Sequence, residues 1–354
     1  MKVLPNLNPL RFFLASIVML FHLPQFFKNR ELPYFDNSPI FNKGTEAVYV
    51  FFVLSGYLII RLLYIEKIKT SSINIRNFYM RRVLRIFPLY FFVLISGLFY
   101  YNYFLDLIGI SFETNYNLVE LLTLYIFFLP NVASNLYHPG GALEVLWSIG
   151  IEEQFYLFIA PLFLFLNKRY LIPFFSIFTV GYFLLIATNI FPFLSDFDFF
   201  YFYFSAGGVA SILDIKYGLG KRFNQISKFL ILILFIVFFT TDLIQFSIES
   251  YNHLFGLFLF PLLVLTISNN PIFVIKSKIV NYLGKISYGI YMYHAFAINF
   301  IGFLALKMNS KFNISTAVMM VVSFVLVFLT TIAAAHLSFK FFEQKFIRLK
   351  KHFR

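Results

Sequence analysis

The chain has 354 residues, of which 60% are hydrophobic and 13% charged, with a mean hydropathy of +0.79. Soluble domains lie nearer ~45–50% apolar and ~25% charged, so the composition excludes a water-soluble globule and predicts a polytopic membrane protein. The formal charge of +13 therefore reads as membrane topology rather than nucleic-acid binding, and the lack of cysteine excludes disulfides, thiol nucleophiles and thiolate metal sites.

A membrane crossing takes roughly 20 mostly apolar residues. Ten spans are predicted, at 9–27, 45–65, 86–108, 144–166, 170–190, 199–217, 229–247, 253–269, 284–306 and 314–338. The first run carries an arginine and a histidine and no small-residue cleavage site follows it, so it reads as a retained helix, not a signal peptide. With the N-terminus inside, basic residues from Lys2 to Arg354 gather on the cytoplasmic side. Only Lys28, Arg30, Lys43, Lys307 and Lys311 of the 29 Lys and Arg fall outside. That asymmetry is what the positive-inside rule expects, and it puts both termini in the cytoplasm. The apolar stretch 118–130 would reverse every later loop if it crossed. It is expected to be a re-entrant or interfacial segment on the outer face, followed by an outer loop that contains Pro139-Gly140-Gly141. No repeat or low-complexity tract is visible, so 1–354 is expected to form a single membrane-embedded domain with no appended soluble domain, an all-α transmembrane bundle.

Five groups of residues could carry chemistry. In the first span Arg11 and His22 are eleven residues apart, about three turns, so they share a face ~16 Å apart along the axis. Taken alone, Arg11 also fits a snorkelling anchor and His22 a packing hydrogen bond. In the second span, Phe51-Phe52-Val53-Leu54 leads into Ser55-Gly56, a small pair that lets helices approach closely. Ser55 would be a nucleophile only with a base beside it. At the mouth of the third span, Arg82 and Arg85 share a helix face at a spacing that suits a diphosphate; the same charges would also anchor the chain to anionic lipid.

In the fourth span Glu152 and Glu153 lie inside the apolar run Leu146–Leu157. A charge at membrane depth costs at least ~2.5–3.5 kcal/mol, so such residues usually face a cavity or a partner. Both lie ~12 Å below the outer end of their span, a depth comparable with His22. Neighbouring side chains point ~100° apart, so one of the two is expected to hydrogen-bond His22, fix its tautomer and leave its other nitrogen free as a base. In the ninth span His294 closes the run Ser287-Tyr288-Gly289-Ile290-Tyr291-Met292-Tyr293-His294; it either lines the same cavity or satisfies a neighbouring hydroxyl. Ser55, Trp147, Ser148, Tyr291 and His294 are candidates to line the cavity. His138, His253, His336 and His352 fall in loops or near span ends and read as incidental. No metal-ligand spacing or glycine-rich phosphate loop is present.

Together these segments resemble the acyltransferase-3 family of integral-membrane acyltransferases, which includes bacterial polysaccharide O-acetyltransferases. The matching pieces are Asn8-Pro9-Leu10-Arg11 before His22, 51–56, Arg82-Val83-Leu84-Arg85 with Ile86-Phe87-Pro88-Leu89-Tyr90, 146–157 and 287–294. The chain departs from the family at Asn8-Pro9, where Asp-Gly is frequent, and at Tyr49, where an acidic residue often stands. The resemblance implies transfer of an acyl group, usually acetyl from cytoplasmic acetyl-CoA, to a hydroxyl of a carbohydrate or lipid-linked glycan at or across the inner membrane. On this reading His22, Glu152, Glu153 and Arg11 are catalytic, Arg82 and Arg85 bind the acyl-CoA donor, and no metal takes part. The rival reading is a proton-coupled transporter or glycan flippase built on the same intramembrane His, Glu and Arg residues. Carriers often show an inverted repeat with broken helices, and no such symmetry is visible here.

Overall fold

Several helices begin where an Asn or Ser side chain supplies a partner for orphaned backbone groups. The computed structural model describes residues 4–32, 34, 37–309, 311 and 315–353. Lys2, Arg354 and residue 314 of the last expected span lie outside the described residues. We number the main helices α1 (Leu7–Lys28), α2 (Gly44–Thr70), α3 (Ile75–Phe99), α4 (Leu118–Ile126), α5 (Pro130–Tyr137), α6 (Trp147–Phe165), α7 (Leu171–Ala187), α8 (Tyr201–Tyr217), α9 (Gln225–Thr240), α10 (Glu249–Ser268), α11 (Lys278–Lys285), α12 (Ser287–Asn309) and α13 (Thr316–Ser338). No strand occurs among the described residues. The chain is an all-α polytopic bundle.

Among the described residues, eight helical stretches, containing α1, α2, α3, α6, α7, α10, α12 and α13, are long and apolar enough to cross a membrane by length and composition. α8 and α9, of 17 and 16 residues, occupy the positions of the other two expected spans. α4 has nine residues, roughly 13 Å of helix, which is too short to cross. Side chains of Asn74, Asn117, Asn224, Ser277 and Ser315 cap the N-termini of α3, α4, α9, α11 and α13.

Two buried lysines do the same work at C-termini. Lys67 donates to the carbonyls of Phe163 and Leu164 at the end of α6, and Lys228 donates to Asn270 O (2.6 Å) after α10. An ammonium there satisfies carbonyls the helix cannot pair and lies at the favourable end of its dipole.

α2 runs through the centre of the bundle against α8, almost backbone to backbone. A Cβ on Gly56 would stand 1.9 Å from the Phe204 carbonyl oxygen, and one on Gly207 would stand 2.1 Å from Val53 O. The small-residue packing expected of Ser55-Gly56 is therefore present. The Phe204 ring stacks between Phe52 (4.6 Å) and Phe155 (4.5 Å). At one end of this seam Arg61 pairs with Asp214 at 2.9 Å, and Asp214 also accepts the Gly220 N–H (3.2 Å).

The segment from α4 to the start of α6 folds over one end of the bundle. The hydroxyl of Tyr90 donates to Tyr125 O (2.9 Å), that of Tyr125 donates to Leu143 O (3.0 Å), and that of Tyr101 accepts the Ala142 N–H (3.0 Å). Gly140 turns this chain at φ 105° with the Tyr101 ring where a Cβ would be, a conformation and a space that glycine alone meets.

Candidate functional site

Three consecutive polar residues of α6 point three ways, as a ~100° step between neighbours requires. Glu152 accepts hydrogen bonds from the hydroxyls of Ser55 and Tyr156. Glu153 is buried, with one carboxylate oxygen lacking a hydrogen-bond partner among the described residues. Gln154 donates to Phe128 O (2.6 Å) and Asn131 Oδ1 (3.0 Å) and accepts from the Tyr201 hydroxyl, tying the α4–α5 turn into the bundle.

Glu152 faces an inner cavity of about 230 Å³. α1 contributes Arg11 to its wall, α2 contributes Ser55, α3 Arg82 and Arg85, α6 Ser148 and Tyr156, and α12 Ser287, Tyr288 and Tyr291. The Arg82 guanidinium lies 5.7 Å from the Tyr156 ring centroid and 5.9 Å from that of Phe78, and its Nε has no hydrogen-bond partner among the described residues. Arg11 reaches Asn8 Oδ1 at 3.4 Å. Three guanidiniums thus share a wall with one carboxylate, an excess of positive charge with free donors, which suits a phosphorylated or otherwise anionic ligand. Their neighbour Arg81 turns away, 3.7 Å from Glu66 and donating to Phe353 O (2.7 Å).

An outer cavity of about 550 Å³ is built differently. His22, Gln25, Asn29, Arg30, Tyr101, Asn135, His138, Glu144, Trp147, Asp198 and Asn299 line it. Amides, both signs of charge and a Trp face are what a polyhydroxyl ligand needs. Asp198, in the loop before α8, has its carboxyl pushed up to about 6 by burial, a shift that a hydrogen bond with Asn135 opposes. Trp147 lines the outer cavity and Ser148 the inner one. Between the two, Ser148 Oγ and the Tyr291 hydroxyl meet at 2.7 Å, next to the fully buried His294.

The structure separates two groups that the sequence reading put together. His22 Nδ1 is 3.3 Å from Gln25 Oε1, and its ring lies 5.2 Å from that of His294 and 4.9 Å from that of Phe21. Neither Glu152 nor Glu153 is among its partners, so the expected imidazole–glutamate pair is corrected. Both height and direction differ from expectation: Glu152 turns to α2 and lies in the cavity of Arg11, and Glu144, about two turns earlier, is the α6-side carboxylate in the cavity of His22. Arg11, Arg82, Arg85, Ser55, Ser148, Tyr291 and Glu152 do converge, while His22 and Trp147 face the outer space.

Tyr156 and Tyr288 went unnoticed in the sequence, although Tyr156 stands one turn beyond Glu152 and Tyr288 inside the 287–294 run. Asp198, Asn299 and Glu144 come from separate loops and helices and give no local signal. His138, set aside as incidental, is part of the outer wall. His253 bonds the Tyr203 hydroxyl (3.1 Å) and His336 that of Tyr282 (2.7 Å), both away from the two cavities. No group of three or more metal-ligating side chains occurs among the described residues.

Residues 4–336 match the family model Acyl_transf_3, described as an acyltransferase domain. The chain is 30% identical over 176 residues to O-acetyltransferase OatA of Staphylococcus aureus (strain NCTC 8325 / PS 47), a match covering 48% of this chain and 26% of that protein. It is 24% identical over 390 residues to "Putative O-acetyltransferase SACOL0978" of S. aureus (strain COL), covering 98% of this chain and 58% of that one. The chain therefore spans only part of the length of both relatives. No solved structure matches.

Proposed function

We propose that this chain, which belongs to the acyltransferase-3 family of membrane acyltransferases, transfers an acyl group, acetyl before others, from a coenzyme A thioester to a hydroxyl of a carbohydrate or lipid-linked glycan. The reading includes a bacterial inner-membrane location with both termini in the cytoplasm. The observation that carries it is the pair of cavities stacked along α1. One holds the Arg11, Arg82 and Arg85 guanidiniums and the other an uncharged-polar and mixed-charge wall around His22. A donor with phosphates suits the first, and a sugar suits the second.

In this mechanism Arg82 and Arg85 hold the donor phosphates and Arg11 meets charge nearer the thioester. Glu152, held by Ser55 and Tyr156, is the counter-charge that keeps the guanidiniums open to the donor. His22 takes the proton of the acceptor hydroxyl as its oxygen forms the new bond to the acyl carbon. The carbon–sulfur bond breaks, and the proton passes from His22 to the departing thiolate.

The test is to incubate the protein in lipid nanodiscs with acetyl-labelled acetyl-CoA and envelope glycans. Label recovered on glycan supports the reading. In reconstituted vesicles, glycan uptake with no covalent change would instead identify a carrier. His22→Ala is expected to stay folded and lose transfer, and full activity in that variant would remove the mechanism. Arg85→Ala is expected to weaken donor binding with little effect on folding.

A further inference from the structure

His294 is fully buried in α12, and its two ring nitrogens have different surroundings. Nδ1 meets the backbone carbonyl oxygen of Tyr291. A carbonyl only accepts, so the hydrogen sits on Nδ1 and the neutral ring carries its lone pair on Nε2. That Nε2 is buried and has no hydrogen-bond partner among the described residues. A buried polar atom left unpaired in a folded protein is uncommon and marks a place where something else arrives. The neighbouring ring is that of His22, the two ring centroids 5.2 Å apart and their planes tilted by 30°. Gln25 Oε1 faces His22 Nδ1 at 3.3 Å. With that oxygen accepting, His22 also keeps its lone pair on Nε2.

We propose that His294 is a positioning residue for His22: its bare Nε2 accepts a hydrogen bond from the His22 imidazolium. The inference rests on the role given to His22 above. The proton leaves the acceptor hydroxyl for His22 Nε2, is shared there in a three-centre hydrogen bond between the reacting atom and His294 Nε2 while the acyl–oxygen bond forms and the carbon–sulfur bond breaks, and ends on the thiolate. No other reactant is needed. Gln25 fixes one side of His22 and His294 the other, which does the orienting work that neither α6 glutamate is placed to do.

Two substitutions separate this from packing. The amide nitrogen of Asn stands where Nδ1 does and can still donate to Tyr291 O, but Asn offers nothing at the Nε2 position. Gln reaches the Nε2 position with an amide oxygen and gives up the Nδ1 bond. With acetyl-labelled acetyl-CoA and the glycan that wild-type protein labels, His294→Asn is expected to lower kcat about tenfold or more, with KM for both substrates within about twofold. His294→Gln is expected to recover most of that loss. Wild-type kcat in His294→Asn, or Gln impaired as much as Asn, overturns the proposal and leaves His294 as a packing group.

An independent reading needs no acceptor. In nanodisc protein labelled with 15N-histidine, the His294 signal, assigned by its loss in His294→Asn, is expected to show hydrogen on Nδ1 and a bare Nε2. Hydrogen on Nε2 overturns the proposal. Full activity of His22→Ala defeats the mechanism itself, whereas a dead His22→Ala beside a normal His294→Asn defeats this inference alone.

Discussion

Gly56→Ala places one methyl group into one of the tightest contacts of the bundle. Its Cβ would stand 1.9 Å from Phe204 O and 2.6 Å from two further backbone atoms of Phe204, where ordinary contact begins at 3.4 Å. α2 and α8 would have to part by about 1.5 Å, and no flexible side chain can give way because the obstacle is backbone. Moving α8 also disturbs the Phe204 ring between Phe52 and Phe155. Moving α2 shifts Ser55, the neighbouring residue, which donates to Glu152. Overpacking a well-filled core typically costs ~1–3 kcal/mol, and rigid backbone puts this site at the upper end. Gly181→Ala is the control. A Cβ there meets nothing within 4 Å, and in the interior of α7 alanine favours helix by up to ~1 kcal/mol. Thermal unfolding of both variants in the same nanodiscs is the assay. Gly56→Ala should melt several degrees below wild type and lose acyl transfer, and Gly181→Ala should match or exceed wild type. If Gly56→Ala melts with wild type, the α2–α8 contact is not backbone to backbone and the reasoning fails.

Arg61→Ala would leave the buried Asp214 carboxylate without its partner at 2.9 Å. Removing one member of a buried pair costs ~3–5 kcal/mol, less here because Arg61 is partly exposed, and Arg61→Ala/Asp214→Ala should be milder than Arg61→Ala alone in thermal unfolding. The Asp198 carboxyl, raised from 3.8 to about 6, binds its proton more tightly in the folded chain. Its contribution to stability is therefore complete below about pH 4 and is lost as pH rises through about 6. A melting-temperature profile from pH 4 to 7 should lose that downward component in Asp198→Asn, and an unchanged profile refutes it. Arg82→Ala should weaken acetyl-CoA binding measured by calorimetry, while Arg81→Ala, whose guanidinium is engaged with Glu66 and Phe353 O, should leave donor affinity within about twofold and lower stability instead; equal effects of the two would refute the division.

The parts of this molecule that follow from local rules were legible in its sequence. Apolar length alone located the helices, because a bilayer requires it, and even the 118–130 stretch reads correctly as too short to cross. Arg82 and Arg85, three residues apart, had to share a face, and they line one wall. Ser55-Gly56 had to permit close approach, and Phe204 is there. What failed was height and direction between helices. Counting residues sets His22 and Glu152 at similar depths, whereas the glutamate lies in the cavity of Arg11 and accepts from Ser55, because nothing in either span tells how far one helix is slid or rotated against the other. The outer wall was also hidden. Asn135, His138 and Asp198 come from segments whose position depends on distant anchors such as Gln154 against Phe128 and Asn131, and no periodicity carries that information.

The Ser148–Tyr291 contact, with His294 beside it, closes part of the cavity of Arg11 and Glu152, and Trp147, the residue next to Ser148, lines the cavity of His22. Cells store energy as a difference in proton potential across such a bilayer, and an unbroken file of solvent through a protein would discharge it. A molecule that passes chemical groups from one face to the other therefore needs insulation that yields to a chemical group yet stays closed to protons. On the transfer proposed above, the Ser148 and Tyr291 hydroxyls and the His294 imidazole are the side chains that such insulation would rest on.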